Sequence, residues 1–382
     1  MVRDIMSEFA RLTGLHPAGK TPRRYLWTDA FAVCNFLELY HRTGEDAYRD
    51  LASELVEQVH NVLGRHRADD PRKGWISGLD EQEGQNHPTI GGLRIGKEMN
   101  ERKPGDPFDE RLEWERDGQY YHYLTKWMHA LHRLSRVTGE TVFHRWAIEL
   151  AKTSYAAFTY IPPGGRKRMS WKMSIDLSHP LVPSMGQHDP LDGFITYCQL
   201  RATIPDDSKK SRWPDLDAEI SELAGICEGK QWATDDPLGL GCLLTDAFKV
   251  AQLIGRFGFE GMELLQIILE DALLGLKSYS ENNTLNYSPD YRLAFRELGL
   301  SIGLHALDRL YNFRRECGNV FRAQPAMERP IEALRGYGPM AESIETFWLK
   351  AENRETKTWK AHGDINMIML ATSLAPDGYL AL

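Results

Sequence analysis

The chain has 382 residues, 42% hydrophobic and 26% charged, which supplies material for a large core and excludes disorder over any long stretch. Against 46 basic residues stand 54 acidic ones, a formal net charge of −8, and the densest basic cluster is only Gly165-Arg166-Lys167-Arg168, so nucleic-acid binding by phosphate neutralisation is disfavoured. Five scattered cysteines with no CxxC pair exclude a disulfide framework and a thiolate zinc site; with no secretory core at the start and no uninterrupted apolar run long enough for a bilayer, the expectation is a cytoplasmic protein without a membrane partner.

Met1 to Phe9 reads as an amphipathic helix. In 28–41, Phe31, Val33, Cys34, Phe36, Leu37 and Leu39 leave almost no polar side, which predicts a helix buried all round. In 45–63, Tyr48, Leu51, Leu55, Val59 and Val62 recur at steps of three and four, which predicts one buried face. The alternation continues: Tyr120 to Val137, Leu238 to Ile254, Leu293 to Leu310 and Ile365 to Leu374 are apolar all round, and Val142 to Phe158 and Met262 to Leu276 are one-faced or nearly so; with candidate helices at 118–137, 141–158, 189–203, 215–227, 237–255, 259–277, 291–314, 329–351 and 361–374 the total is about twelve.

Arg42-Thr43-Gly44-Glu45, Val137-Thr138-Gly139-Glu140 and Arg256-Phe257-Gly258-Phe259 each place glycine where one helix stops and the next begins. The separation of Asp117 from Gly139 equals that of Asp236 from Gly258, a repeat in register. No strict period-two run bounded by hairpin turns predicts a strand. The connections 65–116 and 160–187 are much longer than the rest and lead from outer to inner helices, as functional loops do, and Trp75, Trp114, Trp171 and Met173 argue that parts of them pack. Six hairpins closed into a ring predict one all-α domain over 1–382, an (α/α)6 toroid.

The inner helices begin at Trp27-Thr28-Asp29, Asp117-Gly118-Gln119-Tyr120-Tyr121, His188-Asp189-Pro190-Leu191-Asp192-Gly193-Phe194, Asp235-Asp236-Pro237 and Trp359-Lys360-Ala361-His362-Gly363-Asp364. This layout resembles the six-hairpin (α/α)6-toroid carbohydrate-active proteins, which include unsaturated glucuronyl hydrolases and the N-acylglucosamine and cellobiose 2-epimerases. The stretch from His188 to Phe194 is similar to the His-Asp-x-Gly-Phe segment that bears a catalytic Asp in unsaturated glucuronyl hydrolases, though Pro190 and Asp192 are extra and the stretch falls on a different hairpin. The resemblance implies a carbohydrate or sugar-derived small molecule as partner, bound where the starts of inner helices converge.

For glycoside cleavage two carboxyl groups are needed, one protonated. Asp189 and Asp236 are the first choices, with Asp117 as a third member, while Trp27, Tyr120, Tyr121 and Trp359 suit the flat faces of sugars and Asp29 and Asp364 their hydroxyl rims. Each of these acids also serves as a helix cap on the plainer reading. The alternative chemistry, a sugar 2-epimerase or isomerase, calls for proton carriers beside a carbonyl, and His188 and His362 are its candidates. A third reading is a helical binding protein without catalysis.

Gly91 to Lys97 matches neither a Walker nor a dinucleotide loop and is read as a lid with Arg94 and Lys97 as anion contacts. His179, His188 and Asp189 match no compact zinc pattern, and no cofactor is called for.

Overall fold

The computed structural model of the chain describes residues 1–382 except 104, 183, 205–212 and 322–326. Among the described residues there are twelve helices of eleven residues or more, beginning with α1 (Val2–Leu12). The residues group into two compact units, one of Ala10–Glu228 and one of Met1–Phe9 with Gly229–Leu382.

The unit of Ala10–Glu228 holds α2 (Leu26–Thr43), α3 (Asp46–Leu63), α4 (Tyr121–Thr138), α5 (Thr141–Phe158), α6 (Asp189–Ala202) and α7 (Asp217–Cys227). α2, α4 and α6 lie side by side in a row, and α3, α5 and α7 back them in turn as the second arms of hairpins. Burial follows the apolar pattern. Every residue of α2 from Leu26 to Leu39 is buried, whereas α3 buries only the face of Tyr48, Ala52, Leu55, Val56, Val59, His60 and Leu63. The hairpin turns use glycine for its left-handed backbone, with φ of 71° at Gly44, 77° at Gly139 and 68° at Gly258.

Two short ladders depart from the expectation of no strands: Gln119–Tyr120 pairs with Lys172–Met173, and Thr159–Tyr160 with Arg168–Met169. The first delays the start of α4 to Tyr121. It forms because the Gln119 side chain bonds both long connections, donating to the carbonyls of Gly91 (3.0 Å) and Ile175 (2.7 Å) and accepting from the Leu93 N–H (2.8 Å). That arrangement brings Trp171 and the segment before α6 onto the start of α4.

The second unit holds α8 (Pro237–Phe257), α9 (Met262–Glu281), α10 (Ala294–Glu316), α11 (Pro339–Leu349) and α12 (Gly363–Leu374), with α10 packed on α8, α11 and α12. The expected helix 329–351 is broken into 328–335 and α11 at Gly336-Tyr337-Gly338-Pro339, where proline supplies no N–H to continue the ladder. α8 is long and apolar enough to cross a membrane by length and composition, and 78% of its most apolar window is buried in protein.

Candidate acid–base site

The first turn of α4 carries Tyr121-His122-Tyr123, and the first turn of α6 carries Asp189. Because α4 and α6 are neighbours in one row, these turns meet. His122 Nδ1 lies 3.7 Å from Asp189 Oδ1; the imidazole side chain is 32% exposed and the carboxyl 9%. Aromatic rings fix the imidazole. Tyr120 lies near-parallel to it at 5.4 Å, Tyr123 meets it edge-on at 4.8 Å and Trp27 at 6.0 Å. Beyond Tyr120, Trp171 stacks at 5.0 Å and Trp114 rests on Trp171 at 5.1 Å. The Tyr25 and Tyr123 hydroxyls are 2.7 Å apart.

Asp189 is the electrostatic centre of the group. Its Oδ2 is buried without a hydrogen-bond partner among the described residues. The backbone of Gly186 closes over it so tightly that a Cβ there would stand 2.4 Å from Oδ2. Burial, and then the charge of Asp192, push the carboxyl up to about 7 against the opposing pull of Lys126. Asp192 is itself held by Lys126 Nζ at 2.7 Å and by the Thr125 hydroxyl. Burial, with Lys126 adding to it, drives His122 down to about 4. At neutral pH the site therefore presents a neutral imidazole beside a carboxyl divided between its two forms, a pair able to accept or give a proton without a large penalty.

The expected site residues divide by unit and by task. Asp117 is fully buried and accepts four bonds, from Arg94 (2.9 Å), Arg67 (3.3 Å), Gly96 N–H (3.0 Å) and Gly118 N–H (3.1 Å), which leaves no lone pair for a ligand. Arg94 gives its other N–H groups to the carbonyls of Arg65 and Val62, and Lys97 donates to the Trp114 carbonyl. The stretch 91–97 is thus a buried strap rather than an anion-binding lid. Asp29 accepts from the Tyr25 N–H at 3.0 Å and faces Arg24 at 3.5 Å.

Tyr120, Tyr121 and Trp27 are at most 5% exposed, so they support His122 and the core and offer no open face to a sugar. Tyr121 packs on Phe158 at 5.4 Å. His188 occupies the cap position of α6 through its backbone and is partly exposed. In the second unit Asp236 caps α8 by accepting from Gly239 N–H at 2.9 Å and pairs with Arg296, the plainer reading of that acid. There too His362 is exposed at the start of α12 with its ring 5.4 Å from Phe295, Trp359 rests on Trp348 at 5.6 Å, and Asp364 is half-buried in the first turn of α12.

His122, Tyr25 and Tyr123 are the members that the sequence reading did not single out. For His122 and Tyr123 the signal is the run Tyr120-Tyr121-His122-Tyr123 opening an inner helix, where the histidine directly follows the residues that look like a platform; Tyr25 lies two residues before Trp27.

No family model and no curated protein matches the chain. Solved structures similar to it include a sugar epimerase from a ruminal bacterium, with 11% identity and a TM-score of 0.48 over 92% of this chain and 87% of that one. A cellobiose 2-epimerase from Bacillus thermoamylovorans is similar with 12% identity and a TM-score of 0.49 over 92% and 88% of the two chains. A cellobiose 2-epimerase from Spirochaeta thermophila has 12% identity and a TM-score of 0.49 over 100% and 98%.

Proposed function

We propose that the protein is a sugar epimerase or isomerase that moves a proton at the carbon beside a carbonyl, with His122 and Asp189 as its proton-transfer pair. One observation carries this reading: a carboxyl held near 7 with an unbonded oxygen stands beside a neutral imidazole on an aromatic support. The carboxylate takes H⁺ from the carbon, the bond's electrons form a double bond toward the carbonyl carbon, and the carbonyl oxygen becomes an enolate. Return of a proton to the opposite face of the same carbon completes epimerisation, while its delivery to the former carbonyl carbon, with the hydroxyl proton of the deprotonated carbon passing to the enolate oxygen, completes isomerisation; His188, next in the chain to Asp189, is the second carrier in this unit. The separation of 3.7 Å is longer than a hydrogen bond, and such contacts tighten when a ligand closes the site.

A carboxyl near 7 also suits the acid of a glycosidase. That reading needs a second carboxylate free to activate water, and both Asp236 and Asp117 are engaged by arginines.

Incubating the protein in D₂O with free aldoses and with cellobiose, the sugar named for two of the similar structures, separates the two. Deuterium is expected at carbon 2, and Asp189→Asn is expected to slow its incorporation at least ~100-fold. Release of sugar from a glycoside with no label at carbon 2 would overturn the epimerase reading.

A further inference from the structure

We propose that the hydroxyl pair of Tyr25 and Tyr123 donates the hydrogen bond that stabilises the enolate oxygen formed when His122 and Asp189 move their proton. This rests on the epimerase reading and extends it to the other half of the reaction, the oxygen that gains charge.

A tyrosine hydroxyl carries one hydrogen and accepts through its oxygen. The 2.7 Å contact between Tyr25 and Tyr123 uses one of the two hydrogens present. Neither hydroxyl has another protein partner among the described residues, so one O–H is left to point elsewhere. The hydroxyl that accepts from its neighbour is polarised by doing so and becomes the stronger donor.

The pair is also held in the right company. The Tyr123 ring meets His122 at 4.8 Å and Trp27 at 5.2 Å. Tyr25 is anchored by its own backbone, with its N–H on Asp29 at 3.0 Å and its carbonyl receiving the Thr28 hydroxyl at 2.9 Å.

Four cations near this end of the unit are engaged by other groups. Lys126 is on Asp192, Lys172 is on the carbonyls of Glu113 and Arg116, and Arg94 and Arg67 are on Asp117. The Tyr25–Tyr123 pair offers a neutral O–H donor on a ring that packs edge-on against the imidazole. Burial raises Tyr25 to about 12 and Tyr123 well above its ordinary value, so both stay protonated and no proton leaves them during the reaction. As carbon 2 loses H⁺ the negative charge settles on the carbonyl oxygen, that oxygen accepts the free O–H, and the charge disperses when the proton returns to carbon.

The test compares wild type with Tyr25→Phe, Tyr123→Phe and the double variant, reading deuterium incorporation at carbon 2 and the thermal melting point. One single variant is expected to lose about 100-fold in kcat with KM changed less than about threefold, the other to lose less, and the double to be no worse than about the product, with melting preserved. The costlier substitution names the terminal donor. A wild type that exchanges, with all three variants within about threefold of it, overturns this proposal and leaves the epimerase reading standing; a wild type that exchanges nothing overturns that reading and the proposal with it. Binding gives a second readout. A sugar-derived hydroxamate, whose anion resembles an enolate, is expected to lose at least ~10-fold in affinity in the variants while the matching alditol does not; equal losses for both, or variants that melt early and lose both, mark the contact as structural and overturn the proposal.

Discussion

Asp189 is held in a form that suits proton transfer and costs stability. Its native value of about 7 stands above the ordinary 3.8. Below pH 3.8 the group is protonated whether the chain is folded or not; as pH rises from there to 7 the unfolded chain ionises while the native carboxyl keeps its proton, so the native state loses about 1.4 kcal/mol per unit, about 4 kcal/mol in all. Asp189→Asn removes that penalty and, under the proposed function, the proton transfer with it. Its melting point is expected to exceed wild type at pH 8 and to converge with it near pH 4. A variant that melts at or below wild type at pH 8 would show that the carboxyl is better solvated than its burial implies. Stability gained where function is lost is a recurrent mark of a working residue. Asp189 stands out in the letters because it opens an inner helix beside a histidine. Its partner does not, since His122 is brought to it from a different helix, and Tyr120 reads as a sugar platform until Trp171 and His122 are both found against its ring.

At the scale of elements, the hairpins were legible to within a few residues because two simple signals agree: glycine at the left-handed stop, and apolar residues on all sides or on one. What those signals miss is how closely helices approach. Gly241 in α8 meets Gly299 and Gly303 of α10 backbone to backbone; a Cβ at Gly241 would stand 2.0 Å from the Gly299 carbonyl oxygen, and one at Gly303 would stand 2.6 Å from the Gly241 Cα. In the sequence such a glycine looks like a mere weakness in a helix. Gly241→Ala forces two backbones apart, and urea unfolding is expected to show a loss of about 1–3 kcal/mol. Gly225→Ala in α7 is the control, since a Cβ there meets nothing within 4 Å; alanine's better helix propensity should stabilise it by up to about 1 kcal/mol. Two substitutions of the same kind are thus expected to have opposite signs, and equal effects would refute the close crossing. The long connections were legible as special by length alone. Their joint grip through Gln119, which sets Trp171 beside the start of α4, is a three-dimensional fact with no spacing in the chain to announce it.

For the molecule as a whole, three buried histidines, His60, His132 and His144, and the partly exposed His122 decide how it meets acid. Burial lowers His60 to about 3 and His122 and His144 to about 4, and sets His132 well below the ordinary value. Bonding explains why His60 resists protonation: the Trp127 indole N–H donates to His60 Nε2 at 3.1 Å, so that nitrogen must keep its lone pair. His144 Nε2 faces the Leu200 carbonyl at 3.1 Å and so bears the hydrogen, which leaves its Nδ1 to accept from His132 Nδ1–H at 3.4 Å. A second proton on His144 would set two N–H groups face to face. Unfolded histidines titrate near 6.5 and the native ones do not, so stability is full above pH 6.5 and falls as pH drops toward 4. Asp189 works the other way, because the native state holds the extra proton there. Four histidines opposed by Asp189 and by Glu149, which burial also raises, leave a net uptake of protons on unfolding near pH 5, so stability falls as pH drops. Urea midpoints at pH 7, 6 and 5 should fall steeply in step, and calorimetry in buffers of different ionisation enthalpy should count the protons. His144→Gln should flatten the slope by about one proton, since an amide can keep a donor toward Leu200 without titrating. A midpoint that stays level between pH 7 and 5 would mean that water reaches these rings in solution, and with it the dry interior on which the raised carboxyl of Asp189 depends.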